Sequence, residues 1–381
     1  MGEADSKPVK KRVLFLLEAF DKGGIEKVTL DIVNHLDPDK YEITVQTFWY
    51  GGHCQSLVHE NVRVIPFFFK RYVRGIIRLI QYLPPRLLYL LFVHGTYDVE
   101  IAASDGGAAK VISGSTNKKA KKICWVHMDV VARGSKLKEF RNAETAKHIY
   151  EKFHKIVCVS GACQTAFVTK FGNHYRTDVV YNPLPVNEIK EKSLLSTNKD
   201  LFSGVTFVGV GRLVSQKGFD RLLEVCVQLK KEKIIPFRVI IIGSGSEYQN
   251  LMEYAIRNDI TDIVSLIGFH ENPYPYMKSA DVFLLTSRDE AFPLVVGESL
   301  ILGTPVIATD CCGIEEWLGH DEKYGFIMEN STNGIYHGMK KVLSNPDILM
   351  EYRRNIPLKQ KEINFDNALQ KFKLNVLNYE V

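Results

Sequence analysis

Short apolar runs alternate with amphipathic stretches along almost the whole chain, and nothing else in the sequence narrows the fold as much. In the first half the runs are Val13–Leu17, Ile43–Phe48, Val62–Pro66, Val99–Ala103, Lys122–Val126, Ile156–Val159 and Val179–Tyr181. In the second half they are Val205–Val210, Arg238–Ile242, Val264–Ile267, Val282–Leu285, Val306–Ala308 and Phe326–Met328. Most are β-branched and apolar on both faces, the pattern of parallel strands covered by helices on each side. With helical periodicity between them, each half reads as a doubly wound α/β domain.

At 381 residues the chain is too long for one hydrophobic core and long enough for two. The break falls at Asn182-Pro183-Leu184-Pro185, followed by a polar stretch running to Asp200. The expected layout is an N-terminal Rossmann-like domain over 1–185, a linker over 186–203 and a second Rossmann-like domain over 204–357. A closing helix over 358–381, with Ile363, Phe365, Leu369 and Phe372 at helical spacing, is expected to pack back toward the first domain. Two such domains facing a cleft would bring the carboxyl ends of their strands together, which is where open α/β sheets bind ligands.

Composition sets the limits. Hydrophobic residues at 45% and charged residues at 24% favour a globular body over a disordered one. The formal charge of +5 is mild, and no nucleic-acid partner is expected. The seven cysteines are odd in number, scattered and without a C-x-x-C, which argues against a disulfide framework or zinc site and for a reducing compartment. Met1 to Lys11 lacks the apolar core of a signal peptide, and no stretch is long and apolar enough for a transmembrane helix. A cytoplasmic location is expected.

Five segments carry candidate chemistry. In Phe207-Val-Gly-Val-Gly-Arg-Leu213 a strand ends in glycines, and Ser215-Gln216-Lys217-Gly218 then leads into a helix. Gly211 permits close backbone approach, and Arg212 and Lys217 would bracket a doubly charged group at a helix N-terminus. The alternative is a surface Arg and Lys at a solvated turn. Gly243-Ser244-Gly245 makes a nucleotide-friendly turn, equally explained as a tight strand–helix connection. Its glycine fingerprint is incomplete, because Tyr248 stands at the third position, and that argues against a dinucleotide oxidoreductase. Gly23-Gly24 opens a helix and either exposes backbone N–H groups to a phosphate or sugar or forms an ordinary βα loop. His127 ends a strand, placed to hydrogen-bond a sugar hydroxyl, to act as acid or base, or to serve structure. In Asp289-Glu-Ala-Phe-Pro-Leu-Val-Val-Gly-Glu298, Pro293 suits the first position of a helix, and backbone amides near Phe292 to Val295, Leu294 among them, point out of that helix start. Glu290 and Glu298 offer two acceptors for hydroxyls. A glutamate complementing the helix dipole explains Glu290 without a ligand, but not Glu298 in its apolar surroundings.

Taken together, in this order and spacing, these segments resemble glycosyltransferase family 4, retaining enzymes of the GT-B fold that include bacterial surface-polysaccharide enzymes. The resemblance covers nearly the whole chain, and the E-x7-E segment after Ala280–Ser287 is its most specific part. It implies that Glu298 holds the ribose, Glu290 a hydroxyl of the donor sugar, and Arg212 and Lys217 the diphosphate. It places Gly24 at the donor phosphates, His127 at the donor sugar and Phe269 beside the base. The sequence departs from the commoner family pattern at Ala291 and Pro293, and at Cys311-Cys312, where many relatives have glycines. The implied reaction moves a hexose from a nucleoside-diphosphate sugar, UDP-linked, to a saccharide acceptor, with no cofactor. No D-x-D follows a strand, so no divalent metal is expected. A sugar-nucleotide epimerase and a non-catalytic partner subunit are the competing readings. The first lacks a clear extra acid/base pair, and the second does not explain the intact Arg212, Lys217, Glu290 and Glu298.

One region bears on the acceptor. From Asn61 to Tyr97 there is no Asp or Glu, while Phe67–Val93 is basic, aromatic and leucine-rich, and lysines at 118, 119, 121 and 122 add charge. Such a surface suits an anionic membrane and a lipid-linked acceptor, with the protein peripheral on the inner face of the cell membrane. Two amphipathic helices split by Pro84-Pro85 are the alternative.

Overall fold

The computed structural model describes residues 9–20, 23–49, 52–69, 82–131, 140, 142–195 and 202–378. The chain divides into two compact units, residues 1–183 with 366–381, and residues 184–365.

Unit 1 is built on a seven-stranded parallel sheet in the order β3-β2-β1-β4-β5-β6-β7. Its strands are β1 (Lys11–Leu17), β2 (Tyr41–Trp49), β3 (Arg63–Phe69), β4 (Val99–Ala102), β5 (Lys121–Val126), β6 (Lys155–Cys158) and β7 (Thr177–Val179). Unit 2 has a six-stranded parallel sheet in the order β10-β9-β8-β11-β12-β13. Its strands are β8 (Val205–Val210), β9 (Phe237–Ile242), β10 (Val264–Gly268), β11 (Val282–Leu285), β12 (Val306–Thr309) and β13 (Gly325–Met328). Each of the apolar runs named above overlaps a strand. The central ones are buried on both faces, as continuous apolar runs require: Val13, Leu14 and Phe15 in β1 and Phe207 and Val208 in β8 are all fully inaccessible. The last strand of unit 1 starts two residues earlier than its apolar run, because pairing with β6 sets Cys158 opposite Val179.

The connecting segments differ more from expectation. Residues 186–192, expected within a linker, form the helix Val186–Lys192 with Ile189 fully buried, and Asn272 Nδ2 donates to the Lys192 carbonyl at 2.8 Å. One apolar residue in a charged run is enough to dock that turn, and a composition rule averages it away. At the other end the helix Ile348–Glu362 runs through Pro357. Pro357 is exposed, so water can serve the carbonyl that loses its helical donor. The shorter helix Phe365–Phe372, with the turn Lys373–Leu377 after it, packs in unit 1. There the fully buried Phe372 ring lies 6.2 Å from Phe15 and 5.2 Å from Trp125.

Candidate active site

In each sheet the strand order reverses once, between β1 and β4 in unit 1 and between β8 and β11 in unit 2. Loops leaving the carboxyl ends of two such strands diverge and leave room for a ligand. In unit 2, β8 delivers Gly211 and Arg212, and β11 delivers Thr286, Ser287 and Glu290, so residues far apart in sequence become neighbours.

At the centre is an ion pair. Lys217 Nζ lies 2.5 Å from Glu290 Oε1, with the two side chains only 17% and 12% exposed. Ser287 Oγ donates to the same carboxylate oxygen at 2.7 Å. The pair is anchored from behind: Thr286 Oγ1 donates to the Lys217 carbonyl at 2.9 Å, and Gln216 Nε2 donates to the Asp289 carbonyl at 2.9 Å. A charged pair so little exposed is held only where further hydrogen bonds satisfy its members. Arg212 is exposed on the loop that follows β8, and its guanidinium has no ion-pair partner among the described residues. The loops after β8 and β11 thus present two cations and one carboxylate acceptor.

The glycines fall into two groups. A Cβ on Gly243, whose φ is +151°, would sit 1.9 Å from the Gly211 carbonyl oxygen, so packing alone requires glycine there. A Cβ on Gly211 would meet only the Lys217 methylenes at 3.5 Å, an ordinary contact. Backbone packing therefore does not account for glycine at 211.

The E-x7-E segment resolves into a loop and a helix, Leu294–Ile301, with Pro293 as its cap residue rather than its first residue. Glu298 is buried, 4% exposed, and accepts a hydrogen bond from Tyr274 Oη at 3.2 Å. It is not an exposed surface glutamate. The Phe292 ring stacks on Trp317, with centroids 4.6 Å apart and planes at 24°, which turns its side chain into the core. The backbone is then the part of Phe292 left to meet a ligand. Phe269, just beyond β10, is 43% exposed. Cys311 stands close enough to Glu290 to be influenced by it. Burial first, and the Glu290 carboxylate second, hold its thiol well above the usual range, so it is a neutral group.

In unit 1, Gly24 begins the helix Gly24–His35 after β1, with Gly23 as its cap residue. His127 follows β5 with its ring centroid 4.4 Å from that of Trp125. Its Nε2 is buried without a hydrogen-bond partner among the described residues, although the residue as a whole is only half-buried. Burial lowers its pKa to about 3. Near neutral pH the ring is therefore uncharged and fit to hydrogen-bond, and of the roles open to it from sequence, proton exchange at that pH is the one its surroundings disfavour. Sequence reasoning missed Ser287, Thr286 and Tyr274. Ser287 lies only three residues before Glu290, a signal that was available, whereas no local pattern links Tyr274 to Glu298.

Among the described residues there is no group of three or more His, Cys, Asp or Glu side chains placed to hold a metal ion, and no helix is long and apolar enough to cross a membrane. The phenylalanine-rich basic stretch falls partly on 70–81, outside the described residues.

Comparison with known proteins bears on the family. The family model described as "Glycosyl transferases group 1" matches residues 190–359, and that described as "Glycosyltransferase Family 4" matches residues 22–188. An uncharacterised glycosyltransferase of Haemophilus influenzae is 26% identical over 375 residues, covering 96% of this chain and 99% of that one. The N-acetylgalactosamine-N,N'-diacetylbacillosaminyl-diphospho-undecaprenol 4-alpha-N-acetylgalactosaminyltransferase of Campylobacter jejuni is 28% identical over 189 residues, 49% of each chain. Among solved structures, Anabaena HepE in complex with UDP and glucose matches with a TM-score of 0.78 at 19% identity, over 97% of this chain and 100% of that one. With its two parallel-sheet α/β units and both halves matched by glycosyltransferase models, the chain belongs to the group 1, family 4 glycosyltransferases of the GT-B fold.

Proposed function

We propose that the chain transfers a hexose from a nucleoside-diphosphate sugar, UDP-linked, to a saccharide acceptor with retention of configuration. The observation that carries this reading is the Lys217–Glu290 pair at the β8/β11 reversal, with the exposed Arg212 on the same loop after β8. As the bond between the sugar C1 and the phosphate oxygen breaks, negative charge grows on the leaving diphosphate. Preorganised cations and N–H donors aimed at that charge are usually the largest available contribution to rate. Arg212 and Lys217 supply it, and the reaction is metal-independent on this reading. Glu290 accepts from a hydroxyl of the sugar, and Glu298 from the ribose. The acceptor oxygen forms the new bond to C1, and its proton passes to the departing phosphate.

Unit 1 takes the acceptor, which we propose is lipid-linked, in the assembly of a capsule, exopolysaccharide or other surface glycan at the inner face of the cell membrane. The helix Pro85–Phe92 buries Leu88, Tyr89 and Phe92 and leaves Leu87, Leu90 and Leu91 exposed, beside the exposed Arg86. Apolar and basic residues on one face suit an anionic interface. The diphospho-undecaprenol in the name of the Campylobacter relative supports a polyprenyl-linked acceptor, and the UDP and glucose bound to HepE make UDP-sugars the first donors to try.

The test is release of nucleoside diphosphate from a panel of sugar nucleotides with and without acceptor. Arg212→Ala, Lys217→Ala and Glu290→Ala each abolish release while the protein stays folded, and EDTA leaves the wild-type rate unchanged. Full activity in all three variants would overturn the reading.

A further inference from the structure

Behind the Lys217–Glu290 pair lies a second polar network, buried at Arg221 and half-buried at Asn330, that touches neither charge. Arg221, on the helix Phe219–Glu232, is 8% exposed. Its Nη2 donates to the Thr286 carbonyl at 2.7 Å and to Asn330 Oδ1 at 2.9 Å, and its Nη1 donates to the Asn330 carbonyl at 3.2 Å. Asn330 Nδ2 in turn donates to the Arg288 carbonyl at 3.0 Å and to the Asp310 carbonyl at 2.8 Å. The two side chains thus tie together the loops that follow β11, β12 and β13 and the helix that follows β8. Thr286, whose carbonyl Arg221 holds, is the residue whose hydroxyl holds the Lys217 carbonyl. Arg288, whose carbonyl Asn330 holds, lies between Ser287 and Glu290 in sequence.

We infer that Asn330 and Arg221 are positioning residues for transfer, fixing the separation of Lys217 and Glu290 by clamping at Thr286 and Arg288 the loop that carries Glu290 and whose Thr286 hydroxyl holds the Lys217 carbonyl. This rests on the reading of that pair as the donor site. The physical reason for such a device is that the pair stands on two loops with no shared secondary structure. A misplacement of about 1 Å in a reacting group costs roughly 100-fold in rate. A guanidinium with fixed fork geometry holds backbone oxygens more rigidly than an ammonium can. The asparagine amide uses its acceptor on Arg221 and its donors on two carbonyls, so no isosteric residue reproduces all its bonds.

The variants that test this are Asn330→Asp, which keeps the acceptor for Arg221 and loses both donors, and Arg221→Lys, which keeps the charge and loses the fork. Both are expected to lower kcat by roughly 10- to 100-fold, as sub-ångström to 1 Å displacements do. Binding of free nucleoside diphosphate by calorimetry is expected to weaken by a smaller factor than kcat falls, since Arg212 and Glu298, which the clamp does not touch, still hold it, and the Tm is expected to fall by only a few degrees. Amide hydrogen exchange across residues 286–290 is expected to speed up in both variants while that of β8 and β9 does not change. This readout needs no turnover, so it still decides the inference if every donor on the panel is inert, a result that would itself count against the transfer reading. A kcat within threefold of wild type with unchanged exchange at 286–290 overturns the inference. So does a loss of activity that only tracks loss of nucleotide binding and of Tm, which would show a purely structural role.

Discussion

Lys217 and Glu290 are 73 residues apart in sequence and joined by a 2.5 Å contact, so each explains why the other can be so little exposed. Removing one leaves the other short of a partner. Glu290→Ala is expected to cost about 1–2 kcal/mol of unit 2 stability in urea denaturation, less than the roughly 3–5 kcal/mol of a fully buried pair because water still reaches the site. His127 makes the opposite kind of prediction. Burial lowers its folded pKa to about 3, whereas an unfolded histidine titrates near 6.5. Between those values the unfolded chain binds a proton that the folded chain does not. Stability is therefore full above about pH 6.5 and is lost as the pH falls toward 3, with a slope of at most about 1.4 kcal/mol per pH unit. His127→Gln is expected to flatten that part of the stability–pH curve in denaturant titrations at pH 4 to 7, and an unchanged curve would show that another group is responsible.

At the scale of elements, the turn from β8 into the helix Phe219–Glu232 carries one glycine that packing requires and one that it does not. Gly218 has φ +68°, and a Cβ there would come within 2.0 Å of the Thr286 carbonyl oxygen. Gly218→Ala should destabilise unit 2 by more than about 2 kcal/mol, combining left-handed strain with a backbone clash. Gly211→Ala should cost no more than about 0.5 kcal/mol, as substitutions without a clash usually do, yet reduce donor binding or turnover. Chemical denaturation of both variants, with nucleotide release measured on the second, tests this contrast. The strands and the E-x7-E helix were legible in the sequence because apolar runs and a proline before a helix are local signals. The helix Val186–Lys192 was not, since its evidence is a single buried Ile189.

For the whole molecule, the testable question is whether unit 1 meets a membrane. The exposed Leu87, Leu90 and Leu91 lie in a segment of the sequence without acids. Flotation with liposomes containing anionic lipid should carry the protein upward at low salt and release it as salt rises, each basic residue near the surface contributing about 1 kcal/mol. Replacing Leu87, Leu90 and Leu91 with serine should weaken flotation without lowering the Tm, because the buried face of that helix is Leu88, Tyr89 and Phe92. Flotation unaffected by lipid charge and by these substitutions would remove the membrane from the proposal.

Much was settled by the sequence alone: two parallel α/β sheets, their strands, the break near residue 183, and the two segments that carry the charged pair. Those properties follow from periodicity and composition within short windows, where burial on both faces of a strand leaves only apolar choices. Tertiary structure decided the rest. It set Lys217 against Glu290, buried Glu298 beneath Tyr274, turned the Phe292 ring onto Trp317, and bound Asn330 to Arg221. Each of these joins residues separated by tens of positions, and hydrogen bonds across such distances depend on strand order and loop direction, which no local pattern of residues encodes.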